Sequence, residues 1–254
     1  MIITLTELNG WISDLEEHKI TPDFMVDTEF QTTLLDAAIR VTNVSPNEKI
    51  KLIEKLISLG CDVDGVQVGC SAIETAIFWS EDNDYVDLIR LLLSHHKKHE
   101  NDLNIMKCSL GALHANIMFN LVVTNENINV NTISIDDNTH ILHILSAVAY
   151  YVEHLNDILT LRPDIDVNPI NKDGYSPMTV ALLNTNTATI LAWKQNKHAM
   201  LIGYDGKSPV HIVKYEIVDR YIGNFWKDYP AMLTYAVKSE KKFLLPEKIQ
   251  NLLF

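Results

Sequence analysis

The run from His95 to His99 comes closest to a metal site in this sequence. His95 and His99 are four residues apart, so a continuous helix would place both imidazoles on one face, where they could bind zinc. Glu100 and Asp102 follow nearby as further oxygen donors. The glutamate of the metalloprotease order is missing, and histidines at a helix end also suit the negative end of the helix dipole. We therefore predict a solvated helix end, with no metal and no cofactor.

Other catalytic patterns are absent from the sequence, because it has no Gly-x-Ser-x-Gly, phosphate-loop or dinucleotide fingerprint. Ser71 follows Gly69 and Cys70 but has no second glycine behind it. We expect a protein that is not an enzyme, although a site in the C-terminal segment stays an open alternative. The three cysteines, Cys61, Cys70 and Cys108, show no motif spacing. They are expected to be reduced thiols that pack like small apolar side chains.

A short segment recurs along the chain and sets its organisation. The first copy, Thr32–Ala38, opens with two threonines and ends in two alanines. Further copies are Ser71–Ile77, His140–Leu145, Ser176–Ala181 and Ser208–Val213. A hidden copy fits at Cys108–Ala112, with Met106 in the threonine position, so the steps are 39, 35, 34, 36 and 32 residues. A unit of this length indicates a stacked repeat array.

These copies resemble the Thr-Pro-Leu-His-x-Ala-Ala signature of the ankyrin-repeat family, whose units have about 33 residues. The segment Leu59–Asp64 resembles the close of a family repeat, and Asp173-Gly174 and Asp205-Gly206 resemble its β-turn fingertips. The resemblance implies an all-α fold: a solenoid of about six helix-turn-helix repeats over residues 30–225. Residues 1–29 would form an N-terminal helical cap, and residues 226–254 a C-terminal helical cap or an exposed tail.

Side-chain chemistry agrees with that architecture. A threonine or serine caps the first helix of a unit, and a proline is tolerated in its first turn. The second helices show apolar residues at helical spacing, as between Ile50 and Ile57. A single unit cannot bury both of its helices, so stability must come from stacking. We expect at least twelve helices in antiparallel pairs and almost no β-sheet.

The chain is acidic, with a net charge of -12 and a pI of about 5.2. Nucleic acid binding is disfavoured because no basic stripe is present. A basic protein partner is favoured, although acidity also serves solubility alone. Predicted fingertips contain Asp136, Asp137, Asp173 and Asp205, and Glu29 and Asp102 lie at corresponding phases of the repeat. No run is apolar enough to span a membrane, and no signal peptide is evident, so we expect a cytoplasmic protein or one secreted into a host cytosol.

Aromatic residues supply the candidate binding anchors. Phe78 and Trp79 follow the alanines of the second copy, a place that faces the concave groove in the ankyrin family. Alternatively, both side chains pack under the following loop. Tyr175 and Tyr204 fall in fingertips, beside the aspartates of these loops. The predicted partner-binding residues are Phe78, Trp79, Asp136, Asp137, Tyr175 and Tyr204.

Two functional classes fit these features. The first is a non-enzymatic adaptor that binds a protein through its groove and fingertips, such as a secreted bacterial effector. Irregular repeats and an apolar C-terminal stretch favour this class. The second is an acidic inhibitor or immunity protein that neutralises a basic enzyme or toxin. The aspartates of the fingertips favour this second class.

Overall fold

The computed structural model describes residues 3–27, 32–42, 44–65, 70–79, 85–97, 99–184, 186–196 and 199. Its α-helices are α1 Leu5–Glu16, α2 Leu34–Arg40, α3 Pro46–Ser58, α4 Ala72–Phe78, α5 Tyr85–His95, α6 Asp102–Leu110, α7 Ala115–Val123, α8 Ile141–Ala147, α9 Val152–Leu161, α10 Pro177–Leu183 and α11 Thr187–Gln195. Strands β1 (Met25–Asp27) and β2 (Thr32–Thr33) form one antiparallel pair. The all-α prediction is confirmed. The chain divides into two compact units, Met1–Asn129 and Val130–Phe254.

Five consecutive helix pairs follow α1 within the described residues, in the order that the repeat register predicts. The prediction of at least twelve helices included a sixth copy, at Ser208–Val213. That copy and the predicted cap at residues 226–254 lie outside the described residues. None of the helices in the described part of the chain combines the length and the hydrophobicity that a bilayer-crossing segment needs.

Three first helices, α2, α4 and α8, begin at reciprocal capping boxes, in which two side chains satisfy backbone N–H groups that the helix leaves unbonded. The Ser71 hydroxyl accepts from the N–H of Glu74 at 3.3 Å, and the Glu74 carboxylate accepts from the N–H of Ser71 at 2.7 Å. Thr33 and Asp36 form the same box at the start of α2. The cap of α2 is therefore Thr33, one residue later than the register placed it.

The first unit opens with α1, which packs against α2 and buries Leu8, Ile12 and Leu15. Its cap is Thr4, whose N–H donates to the Glu7 carboxylate at 2.9 Å. The sequence analysis assigned residues 1–29 to an N-terminal helical cap. This assignment stays a prediction.

First helices of successive repeats pack directly on one another in the first unit, where α4 contacts both α2 and α6. Ala37 and Ala76 are fully buried at these contacts, and their small side chains let the helices approach closely. The contact between α2 and α4 also contains a polar link, because Thr75 Oγ1 donates to Asp36 Oδ1 at 3.0 Å. Burial of Ile53, Leu56 and Leu92 in the second helices completes this core.

The third repeat starts earlier than predicted. The sequence register placed its first helix near Cys108, with Met106 as the capping position. In the structure α6 begins at Asp102, and Met106 is a fully buried residue inside the helix. The placement was wrong because this copy lacks the threonine and proline that mark a helix start.

In the second unit, α8 packs against α9 and α10, and α11 packs against α9 and α10. Trp193 of α11 is fully buried, and its Nε1 donates to Ser146 Oγ of α8 at 2.8 Å. Ala181 of α10 is also fully buried, as a signature alanine should be. The core of this unit is therefore built between repeats, like the core of the first unit.

Candidate functional site

Two adjacent aromatic residues project from the end of α4. The helix ends at Phe78, and Trp79 is the residue that caps it. The Phe78 side chain is 80% exposed and Trp79 is 42% exposed, with ring centroids 6.2 Å apart in an edge-to-face arrangement. Their predicted place at the end of a first helix is confirmed. The alternative, in which both side chains pack under the following loop, involves residues 80–84, which lie outside the described residues.

Leu113 follows the end of α6, which packs against α4, and it is 73% exposed. The second unit also exposes apolar side chains after the end of a first helix. Val148 lies eight residues after the cap of α8, as Trp79 lies eight after Ser71, and it is 43% exposed. Tyr150 is 79% exposed and packs edge-to-face on Tyr151.

The partner-binding residues predicted from the sequence did not include Leu113, Val148 and Tyr150. Counting residues from each cap would have found Val148, because its offset matches that of Trp79. Tyr150 lies in a 3₁₀ helix that the periodicity does not reveal, and Leu113 follows a helix whose start was misplaced.

The predicted fingertip aspartates lie in a tight turn before α8. The N–H of Ser134 donates to the Thr139 carbonyl at 2.9 Å, and Asn138 adopts a left-handed backbone with a φ of 52°. Asp136 is exposed at this turn, whereas Asp137 is half-buried. The N–H of Thr139 donates to the Asp137 carboxylate at 3.0 Å, and this bond is the largest cause that lowers the pKa of Asp137 to about 2.

The next turn, before α10, contains Tyr175. The N–H of Lys172 donates to the carbonyl of Asp137 at 2.9 Å, so the two turns are joined by their backbones. The His143 ring contacts the Tyr175 carbonyl at 2.9 Å through Nε2, so a side chain of α8 also holds this turn. Tyr175 is half-buried rather than fully exposed.

The six predicted partner-binding residues are therefore placed in two groups. Phe78 contacts Trp79 in the first unit, and the turn of Asp136 and Asp137 adjoins the turn of Tyr175 in the second. Tyr204 lies outside the described residues. Partner binding by these residues stays a prediction.

The histidine run is arranged differently from the sequence interpretation. Helix α5 ends at His95, which is exposed, so His95 and His99 do not share a helical face. His96 instead turns inward, where its Nδ1 contacts Asp64 and its Nε2 contacts Asp102. Asp102 is fully buried, so its predicted place in a fingertip is wrong. His99 Nδ1 lies 3.1 Å from the other oxygen of Asp102.

Backbone donors complete this buried cluster. The N–H of Lys97 donates to Asp64 Oδ2 at 2.7 Å, and the N–H of Asn129 donates to Asp102 Oδ2 at 2.6 Å. Burial alone would lower the pKa of His96, but hydrogen bonds to Asp102 and Asp64 raise it to about 9. Local spacing could not predict this cluster, because Asp64 lies 32 residues before His96.

The cysteines are free thiols. Cys61 is buried, and burial raises its pKa to about 11. Burial, followed by the nearby Glu74 carboxylate, raises the pKa of Cys108 to about 12. Both therefore stay protonated and pack like small apolar side chains. Cys70 is exposed, so the packing role predicted for it is wrong.

Comparisons with known proteins give a structural relationship. No protein-family model matches the chain, and no curated protein matches it. Among solved structures, the chain is similar to the human ASB11 ankyrin repeat domain, with a TM-score of 0.50 and 15% sequence identity. The match covers 82% of this chain and 90% of that chain. It agrees with the signature copies and with the successive helix pairs, and the chain therefore has an ankyrin-repeat fold.

Proposed function

We propose that this chain is a non-enzymatic interaction module that binds a protein partner. Binding uses the exposed apolar side chains at the ends of first helices, together with the turns between repeats. The adjacent pair of Phe78 and Trp79 carries the proposal, because both aromatic side chains are exposed next to one another. Tryptophan and tyrosine supply a large share of binding energy at protein interfaces, and burying apolar surface is the main favourable term in association.

Recurrence supports a binding role for these positions. Val148 repeats the offset of Trp79 in the second unit, and Tyr150 stands beside it. Isolated exposed apolar residues are ordinary on protein surfaces, whereas exposed groups of them mark interaction sites. First-helix ends and fingertips are also the surfaces that the ankyrin resemblance implies for partner binding.

The charge of the chain favours a basic partner. Asp136 and Asp173 are exposed in the two joined turns of the second unit. The low pKa of Asp137 keeps its carboxylate ionised at every physiological pH. An acidic surface attracts a basic protein during diffusion and raises the rate of association. Nucleic acid is disfavoured for the same reason.

We infer an adaptor role, of the kind that a secreted bacterial effector performs on a host protein. Free thiols suit a cytosol, either that of the source cell or that of a host. An acidic inhibitor or immunity protein is the second candidate, and the exposed Asp136 and Asp173 favour it. The two candidates differ in how far salt weakens the complex.

Affinity capture with variant baits tests the proposal. The wild-type chain, a Phe78→Ser/Trp79→Ser double variant and a Leu161→Ser control would each be used, and captured proteins identified by mass spectrometry. Leu161 lies at the end of a second helix and is 43% exposed, which matches the 42% of Trp79. We expect a basic protein that the wild type and the control retain and the double variant loses.

Equal capture by all three baits would refute the role of the aromatic pair. Loss with the Leu161→Ser control alone would move the interface to the second helices. Repeating the capture at high salt separates the two candidates, because screening weakens contacts between exposed charges. A complex that survives favours the adaptor, and one that dissociates favours the inhibitor.

A further inference from the structure

We propose that His96, His99 and Asp102 form a binding site for a divalent transition-metal ion, with Zn²⁺ the best match, and that Asp64 orients His96 from the opposite side. This site is separate from the proposed protein interface, and its test does not depend on that interface. It joins the end of α5 to the start of α6.

Geometry is the first support. Within the described residues, this is the one group of three or more histidine, cysteine or acidic side chains that could hold a metal ion. Its three ligand atoms lie within 4.8 Å of one another. Zinc bonds of about 2.0–2.2 Å in a tetrahedron place ligand atoms about 3.3 Å apart. An ion would replace the hydrogen bond between His96 Nε2 and Asp102, so these two atoms would have to move apart to the ligand spacing of about 3.3 Å.

Orientation of His96 is the second support. Its Nδ1 faces the carboxylate of Asp64, which is itself held by the N–H of Lys97 at 2.7 Å. Its Nε2 points towards Asp102, the second ligand. A histidine that binds metal through one nitrogen usually donates its other N–H to a carboxylate, which fixes the ring. Asp64 provides that carboxylate.

Charge is the third support. The side chains of Asp64 and Asp102 are 4% and 0% exposed, and they share one imidazole that is 1% exposed. Buried charge is costly unless it is compensated. A divalent ion would offset both carboxylates.

The solvent access of the group and the types of its ligands also fit a zinc ion. The His99 side chain is 53% exposed, so an ion can reach the group from solvent. Two imidazoles and one carboxylate suit zinc, and three protein ligands leave a fourth position for water. Binding forms a metal–Nε2 bond and releases any proton on that nitrogen to the buffer. The bound ion would tie together residues 96–102, which connect two successive repeats.

Calorimetric titration with Zn²⁺ of the metal-stripped full-length chain tests the site. His99→Ala removes an exposed ligand and should leave the fold intact, which circular dichroism would verify. His95→Ala is the matched control, because His95 is an exposed histidine of the same run outside the group. We expect one equivalent of Zn²⁺ to bind the wild type and the control, with His99→Ala binding more than about 100-fold more weakly.

Two further measurements sharpen the result. Asp64→Asn keeps the side-chain shape and should weaken Zn²⁺ binding by about 10- to 100-fold, the usual effect of losing a carboxylate that orients a ligand. Co²⁺ added to the wild type should give the intense visible absorption of a tetrahedral site, and His99→Ala should abolish it. Absence of Zn²⁺ binding in the wild type would overturn the proposal. Equal Zn²⁺ binding by the wild type and His99→Ala would also overturn it. Equal weakening in His95→Ala and His99→Ala would overturn it too, because the ion would then bind the two exposed histidines.

Discussion

Replacing Thr75 with valine removes one buried hydrogen bond between two repeats and leaves the side-chain shape almost unchanged. Thr75 lies in α4 and donates to the carboxylate of Asp36 in α2 at 3.0 Å. Thr75 is 3% exposed and Asp36 is 6% exposed, so water cannot readily replace the lost donor. The variant therefore measures how strongly one repeat holds the next at a single named contact.

The magnitude follows from the chemistry of the pair. A hydrogen bond to a charged group contributes about 1.5–3 kcal/mol, and a bond between neutral groups contributes about 0.5–1.5 kcal/mol. We expect Thr75→Val to lower the free energy of unfolding by about 2 kcal/mol. For a chain of this size that loss lowers the melting temperature by about 4–8 °C. In an Asp36→Asn background the bond joins two neutral groups, so Thr75→Val should cost only about 0.5–1.5 kcal/mol.

Thermal unfolding followed by circular dichroism is the assay, with Thr124→Val as the control. Thr124 is exposed, and its hydroxyl donates within its own helix end to the Asn120 carbonyl at 2.6 Å. Its loss should change stability by less than about 0.5 kcal/mol. If Thr75→Val and Thr124→Val melt at the same temperature, the contact between α2 and α4 does not contribute as argued. If the effect is unchanged with Asp36→Asn, the donor acts on some other group.

Two other predictions concern the second unit. Ala181→Asp should lower the free energy of unfolding by several kcal/mol, because it places an unpaired charge at a fully buried helix contact. The control Lys172→Ala, in an exposed turn, should change it by less than about 0.5 kcal/mol. Equal urea midpoints for the two variants would contradict the repeat register. Burial lowers the pKa of His140 from 6.5 to about 4, so the unfolded chain binds the proton more readily. Stability from this group is complete above pH 6.5 and is lost as the pH falls towards 4, and His140→Asn should flatten that part of the stability profile.

Local chemistry explains which parts of the fold were predictable. The cap at Ser71 and its partner Glu74 lie three residues apart, so the sequence alone identifies the start of α4. Spacing of apolar residues likewise predicted the second helices. The third repeat failed this test because its first helix starts at Asp102 without a recognisable signature. Where the cap is degenerate, tertiary packing decides the start of the helix.

The candidate sites were harder to predict than the helices, because they depend on contacts between residues that are far apart in the sequence. The repeat register placed Phe78 and Trp79 at the end of a first helix, but it left their exposure open, because packing under the following loop fitted the sequence as well. The burial of His96 was not predictable, since it requires Asp64 from the preceding repeat and the termination of α5 at His95. Periodicity within one helix contains no information on a partner 32 residues away.

Binding kinetics with the captured partner test the central claim most directly. Trp79→Ala should lose about 2 kcal/mol of binding free energy or more, which is about a 30-fold rise in Kd, mainly through faster dissociation and at every salt concentration. Asp136→Asn/Asp137→Asn should slow association at low salt, and this effect should fade as salt rises. Wild-type kinetics for both variants, together with loss of binding by Leu161→Ser, would contradict an interface at the first-helix ends and turns.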